Sequence, residues 1–396
     1  MRNNVLVTDG QTLSALAISR SLGRKGFDVH VGEYFSYNLT RFSKHVSDTI
    51  QYPIPDEKPE AFLDVLLGHL RKGDYEFLVP VRDETTLLVS KHRDEISRHV
   101  NLYIADQRKI ERLNDKGETI QIAQRAGVPT PTTYFPERRD QAEIKRSADY
   151  PLLIRPRVSS GSRGITRVES PSDFDRAFER VSKQYGTPIV QEYVEKTGYT
   201  TACLLFDDEG DPVASFSYER QKEYPLSGGP TVVGVSHDDR IAKRYGAAVL
   251  EAVDWKGPAE VEFILDEAGE PLLLEVNPRF WTPVGLAIRS GVDFPSLLYR
   301  LSVGDEVDPV TEYEVGVTYR SVLPNEILWL LQTPNKIEGL ADFLKFDIGN
   351  TCYGTLSRRD PLPAVGTVVQ AANILSSPDA RKFVFDRGWE SEEAKQ

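Results

Sequence analysis

Apolar positions along this chain recur with two periods, and where one gives way to the other the chain turns. Val5 to Thr8 predicts a short strand and Asp9-Gly10 a turn. Leu13, Leu16, Ala17 and Leu22 then recur at helical spacing before Gly23 and Gly26 close the segment. Phe27 to Val31 predicts a second strand, Phe62, Val65, Leu66 and Leu70 a helical stripe, Phe77 to Val81 another strand, and Thr85 to Arg93 a helix. This alternation predicts an open parallel α/β sheet over residues 1–108. A sheet of that kind places its ligand crevice beyond the strand C-termini, which singles out Asp9, Gly10, Arg82, Asp83 and Glu84. The same residue types also serve as turn formers and helix caps. The first turn lacks GxGxxG, so no dinucleotide cofactor is expected.

From Asn101 to Pro136 the pattern connects, with a strand at Leu102-Tyr103-Ile104, a helix started by Asn114-Asp115 and running through Arg125, and a stop at Gly127 to Pro131. Strands Leu152 to Arg155 and Ile165 to Val168 flank the segment Pro156 to Gly164. That segment holds Ser160, Gly161, Ser162 and Gly164, small residues that let backbone N–H groups approach phosphate oxygens. An ordinary hairpin loop has the same composition. Ser170-Pro171 opens a helix carrying Phe174, Ala177, Phe178 and Val181. Strands follow at Ile189 to Val194, Tyr199 to Phe206 and Ser215 to Tyr218, then a small-residue loop from Ser227 to Pro230 and an amphipathic helix from Arg240 to Ala252. Strand clusters followed by helices predict α+β architecture for this half.

The richest pattern comes next. Leu272-Leu273-Leu274-Glu275-Val276-Asn277-Pro278-Arg279 is an apolar strand ending in a carboxylate, an amide and a guanidinium. Side chains alternate on a strand, so Glu275 and Asn277 share one face while Val276 takes the other. Thirteen residues before Glu275, the strand Val261 to Leu265 places Glu262, and Asp266 to Glu270 is the turn joining the two as a hairpin. Acids on buried strands are costly unless something positive sits between them, and hard oxygen ligands suit magnesium on a polyphosphate. The alternative is a turn-forming Asn-Pro with Arg279 simply paired to Glu275. Beyond Val315 the signal fades: Ile327 to Leu331 and Asn335 to Phe346 predict helices packed on the main body, and Glu390 to Gln396 is expected to fray.

Composition narrows the classes. A chain of 396 residues, 40% apolar and 27% charged, suits two or three folded domains. A net charge of −12 with dispersed basic residues argues against nucleic acid and anionic membranes. Cys203 and Cys352, the two cysteines, form neither a disulfide framework nor a zinc cluster. No apolar run is long enough to cross a bilayer and none opens the chain, so the cytoplasm is expected.

Taken in order, Lys116 at a helix start, Arg155 before the Gly/Ser loop, Gln191-Glu192-Tyr193-Val194, Glu262 and Glu275-Val276-Asn277-Pro278-Arg279 resemble the ATP-grasp superfamily over about Val5 to Leu301. The likeness is greatest to the carboxylate–amine ligase branch near carbamoyl-phosphate synthetase and biotin carboxylase. It implies a Rossmann-like domain (1–108), an ATP-grasp domain (109–305) of two α+β subdomains divided near residue 190, and an extension (306–396) of unassigned role. It also implies that Lys116 and Arg155 contact ATP phosphates, with Ser160, Gly161, Ser162 and Gly164 as a lid. Main-chain groups of Glu192 and Val194 would meet adenine, with the Gln191 side chain near its amino group. Glu262, Glu275 and Asn277 would bind Mg2+, with Mn2+ as an alternative occupant. Arg279, aided by Arg220 or Lys222, would stabilise transferred or developing charge. Arg155 stands where the family usually has Lys, and the acid for the ribose hydroxyls is missing at Gly198-Tyr199, with Glu195 as a substitute.

The implied activity is ATP- and magnesium-dependent joining of a small carboxylate, an amino acid or peptide, to an amine through an acyl phosphate. A nucleotide-binding sensor and a small-molecule kinase use the same site. Trp281, Asp83 and Glu84 are candidate substrate contacts, and oligomeric state stays open.

Overall fold

The computed structural model describes residues 3–226, 228–347 and 349–376. Ser227 of the small-residue loop and the segment 390–396 expected to fray lie outside them. Strands β1 (Asn4–Val7), β2 (Asp28–Glu33), β3 (Val46–Gln51) and β4 (Tyr75–Val79) form an all-parallel sheet in the order β3-β2-β1-β4. Alternation sends Val5 and Val7 into a core with Ala15, Ile18 and Leu22, and Leu6 into another with Phe62, Leu66 and Leu70. The strand order reverses between β1 and β4, where an open α/β sheet forms its crevice. Leu102 to Ile104 is not a strand: Asn101 makes a single parallel bridge to Phe77 and the chain then leaves the sheet.

A small antiparallel sheet, in the order β5-β8-β6-β7, combines β5 (Thr133–Tyr134), β6 (Leu152–Arg155), β7 (Thr166–Val168) and β8 (Ile189–Glu192). Its core of Ile144, Leu152, Ile154, Phe174, Ala177 and Val181 is covered by the helices Gln141–Ser147 and Pro171–Tyr185. The third sheet has seven strands: β9 (Gly198–Phe206), β10 (Pro212–Glu223), β11 (Thr231–His237), β12 (Gly257–Leu265), β13 (Pro271–Asn277), β14 (Thr318–Arg320) and β15 (Thr351–Tyr353). Their order is β13-β12-β9-β10-β11-β14-β15.

Two strands of the tail, β14 and β15, thus complete the large sheet, and helices occupy Ile327–Gln332 and Lys336–Phe343 as the pattern predicts. Further on, the tail clamps the first sheet's domain. Buried Asp360 accepts from Arg20 Nε, Ser43 Oγ and Lys44 N at 2.8, 2.8 and 2.9 Å, and the helix Leu362–Ser376 packs Gly366 against Leu39 and Phe42. Among the described residues, no helix is long and apolar enough to cross a membrane.

Candidate active site

The β12–β13 hairpin forms as its pattern predicts. Glu262 pairs with Glu275 and Glu260 with Asn277, so all four side chains share one face. The other face buries Ala259, Val261, Phe263, Leu273 and Val276 against the helices Arg240–Glu251 and Lys116–Arg125. Leu273 and Val276 can share that face because the register shifts between Glu262 and Phe263, leaving Leu274 as an extra residue. Without this bulge, one of the two would turn toward the polar side. Asp266 Oδ1 closes the turn by accepting from Ala268 N and Glu270 N, both at 2.9 Å.

Charges on the polar face neutralise one another. Glu275 Oε2 lies 3.1 Å from Lys116 Nζ and 3.8 Å from Arg155 Nη2. Burial alone would push Glu275 up, but Lys116 and then Arg155 hold it below the usual carboxylate range. Lys116 is aimed here by its helix: Asp115 caps the N-terminus, accepting from Gly117 N and Glu118 N at 2.8 and 3.1 Å, and Lys116 Nζ also donates to Ser159 O of the Gly/Ser loop at 2.7 Å. Arg155 is 2% exposed, and its Nε is buried without a hydrogen-bond partner. Glu262 is bound by Arg220, which also reaches Glu223 at 3.3 Å and stacks 4.5 Å over the Tyr199 ring. Glu260, 4% exposed, accepts from Tyr218 Oη and Asn277 Nδ2; burial, with Glu262 beside it, pushes its carboxyl up to about 8.

These groups line one cleft of about 1430 Å³ between the three sheets. Of the residues singled out from the sequence, Lys116, Arg155, Ser160, Gly161, Ser162, Gln191, Glu192, Val194, Arg220, Glu262, Glu275, Asn277 and Arg279 lie on its wall. Others stand elsewhere. Lys222 is turned away, because a register shift between Arg220 and Lys222 carries it to Glu326 and Asp342, 3.7 Å from each, over the Trp329 ring. Glu195 is exposed, off the cleft wall. Gly164 shapes the loop from behind: its φ is +73°, and a Cβ there would meet Tyr185 and Pro156. The Gln191 side chain is already engaged, accepting from Arg155 Nη1 at 2.5 Å and donating to Thr133 Oγ1 at 2.8 Å. Trp281 is fully buried core, edge-on to Phe294. Arg279 pairs with Asp83 through two bonds of 2.7 and 3.1 Å, and not with Glu275. Glu260 and Lys196 also line the cleft and went unnoticed in the sequence, although Glu260 has the same strand parity as Glu262.

The far end of the cleft belongs to the first domain. Asp9, with φ +62°, lies at the strand-order reversal and accepts from Thr8 Oγ1, Thr85 Oγ1 and Arg82 N at 2.5, 2.5 and 2.9 Å. Gln11 N–H, at the start of the first helix, is taken by Glu33 Oε2 at 2.8 Å. Burial, then nearby Asp9, pushes Glu33 up to about 8. Thr367, Gln370 and Ala371 of the tail helix wall this end, and Gln370 bridges Gln11 O and Leu39 N at 3.1 and 2.9 Å.

A family model described as an ATP-grasp domain matches residues 113–283, a span holding Lys116, Arg155, Glu262, Glu275, Asn277 and Arg279. The chain carries an ATP-grasp domain. Among curated relatives, the biotin carboxylase of Nostoc is 23% identical over 213 residues, 49% of this chain and 47% of its own. The D-alanine–D-alanine ligase B of Chromobacterium violaceum is 27% identical over 178 residues, 41% of this chain and 56% of its own. The chain spans about half the length of these relatives, and 18% of the Aspergillus terreus pyruvate carboxylase. The biotin carboxylase domain of Hydrogenobacter thermophilus 2-oxoglutarate carboxylase, solved as a dimer with MgADP, ADP and bicarbonate, superimposes with a TM-score of 0.63. That match has 17% identity and covers 80% of this chain and 73% of that one. The fold is therefore ATP-grasp, with the parallel-sheet domain in front of it.

The ATP-grasp domain's donor set fits magnesium in kind. Glu262 and Glu275 carry carboxylate oxygens suited to a hard divalent ion and Asn277 an amide oxygen, Oδ1, which lies 3.2 Å from Arg279 Nη2, and all three share one face of one hairpin. Among the described residues, no group of three or more His, Cys, Asp or Glu is drawn together as a ready cage. Lys116 and Arg220 hold the two carboxylates in the places a cation would take.

Proposed function

We propose that this protein is an ATP- and magnesium-dependent ligase that joins a small carboxylate, an amino acid or peptide, to an amine and releases ADP and phosphate. The observation that carries this reading is the convergence of Lys116, Arg155 and Arg220 with Glu262, Glu275 and Asn277 on one cleft, although they come from four separate stretches of sequence. The D-alanine–D-alanine ligase relative supports ligation over other uses of the fold.

In this reading Lys116 and Arg155 move from Glu275 to the phosphates of ATP, and main-chain groups of Glu192 and Val194 receive adenine. Glu262, Glu275 and Asn277 hold magnesium, which when bound neutralises charge on the phosphates. Substrate carboxylate oxygen attacks the γ-phosphorus in line. An O–P bond forms, the bond to the β–γ bridging oxygen breaks, and its electron pair leaves with ADP. The amine nitrogen then attacks the acyl carbon, loses a proton and expels phosphate. Arg279, held by Asp83, faces the developing oxyanion, a contribution worth about 3–4 kcal/mol in comparable sites. The loop 156–164 closes over the acyl phosphate and keeps water out.

The test is a screen of pooled amino acids and small carboxylates for magnesium-dependent ADP release, with mass spectrometry of the product. Release requiring both a carboxylate and an amine supports the ligase. Release with a single acceptor makes it a kinase, and tight ATP binding without turnover a sensor.

A further inference from the structure

Glu260 stands outside the ligand set proposed above, yet it is the most enclosed carboxylate on the hairpin's polar face, 4% exposed against 8% for Glu262. Its two oxygens are both occupied. Oε1 accepts from Tyr218 Oη at 2.7 Å, and Oε2 from Asn277 Nδ2 at 2.8 Å. Tyr218 is itself 1% exposed, on a strand two places from β12 across the sheet, with Thr231 Oγ1 3.3 Å from its hydroxyl.

The consequence falls on Asn277. An amide carries two N–H donors on one side and an oxygen on the other. Asn277 Nδ2 donates to Glu260 Oε2 and, at 2.9 Å, to Glu262 Oε1. With both N–H groups committed, Oδ1 is turned the other way, where Arg279 Nη2 lies at 3.2 Å. A glutamine in place of Glu260 has one acceptor oxygen where Glu260 has two, so either Tyr218 or Asn277 loses its partner, and the amide is then free to rotate by half a turn and present N–H where oxygen is needed.

We infer that Glu260, itself held by Tyr218, is a positioning residue that fixes which end of the Asn277 amide is available to a divalent cation. The inference rests on the reading of Glu262, Glu275 and Asn277 as magnesium ligands. Groups that orient a metal ligand from outside typically alter metal affinity by about 10–100-fold when replaced.

The experiment measures two affinities in the full chain: Mn2+ in the presence of ADP, by electron paramagnetic resonance, and ADP in the presence of EDTA, by calorimetry. For Glu260→Gln the expected result is a loss of about tenfold or more in Mn2+ affinity with metal-free ADP binding held within about twofold. Tyr218→Phe keeps the carboxylate and removes one of its donors, so it shifts Mn2+ affinity in the same direction by a smaller factor. It carries the same test should Glu260→Gln fail to fold. Unchanged Mn2+ affinity in a folded variant overturns the inference, as does an equal loss of both affinities, the mark of a merely structural role. A wild-type protein that binds ADP but no Mn2+ overturns the magnesium reading itself, an outcome the variants cannot imitate.

Discussion

The two ends of the cleft use the same kinds of charge in opposite ways. At the hairpin end, carboxylates meet side-chain cations, Glu275 with Lys116 and Arg155, Glu262 with Arg220. At the first-domain end, Asp9 and Glu33 are tied instead to the backbone and to hydroxyls, Asp9 to Arg82 N, Thr8 and Thr85, Glu33 to Gln11 N and Tyr34 N. A cation on a long side chain can leave one anion for another. Amides fixed in a turn cannot. In the proposed function a metal and a triphosphate exchange into the first arrangement, and the second builds the wall beside it.

That contrast is sharpest at Glu275. Glu275→Gln keeps an acceptor for Lys116 but removes the charge, and magnesium-dependent ADP release is expected to fall by two to three orders of magnitude, about 3–4 kcal/mol, with the unfolding midpoint unchanged. Steady-state kinetics beside urea denaturation would reveal the split. Asp9→Ala should behave in the reverse sense. It leaves several buried donors unsatisfied and puts a non-glycine residue lacking a side-chain acceptor at φ +62°, so about 3 kcal/mol of stability is expected to go, read by the denaturation midpoint. If Asp9→Ala were as stable as the parent, the first-domain end would not be the fixed wall described.

Lys116→Met probes whether the hairpin-end pairs are exchangeable. Freed of its partner, Glu275 should bind Mn2+ in the absence of nucleotide more tightly, and ADP should bind less tightly, each by roughly 1 kcal/mol. Titration of the two ligands separately measures both signs.

A further test varies pH. Glu33 is raised in the folded chain from 4.5 to about 8, so the folded state holds a proton there that the unfolded state has released. Its stabilising contribution is complete below pH 4.5 and is lost as pH rises toward 8, by at most about 1.4 kcal/mol per unit. Denaturation at several pH values should show this fall between 4.5 and 8, and Glu33→Gln should flatten it.

The hairpin was legible because two apolar runs flank a turn at Asp266 to Glu270 and because Glu275 and Asn277 stand two residues apart, on one face of the second run. The bulge at Leu274 was not, since a run of three leucines hides which of them faces the core. Glu260 is missed because the apolar run that marks the strand begins at Val261, four residues after the strand itself, and the register shift that turns Lys222 away has no signature in Arg220-Gln221-Lys222. Trp281, a candidate contact by its position beside Arg279, is core because the chain turns inward after Pro278. Least legible of all was the tail. Arg20 and Asp360 meet across 340 positions, and no local pattern records that a helix at 362–376 helps to wall a cleft opened by Asp9.

The most direct measurement is a crystal structure grown with Mn2+ and a non-hydrolysable ATP analogue, read by anomalous scattering. The expected result is a manganese peak between Glu262, Glu275 and Asn277, with Lys116 drawn off Glu275 onto a phosphate. A nucleotide bound elsewhere, or a peak absent from that face with Lys116 still paired to Glu275, would contradict it.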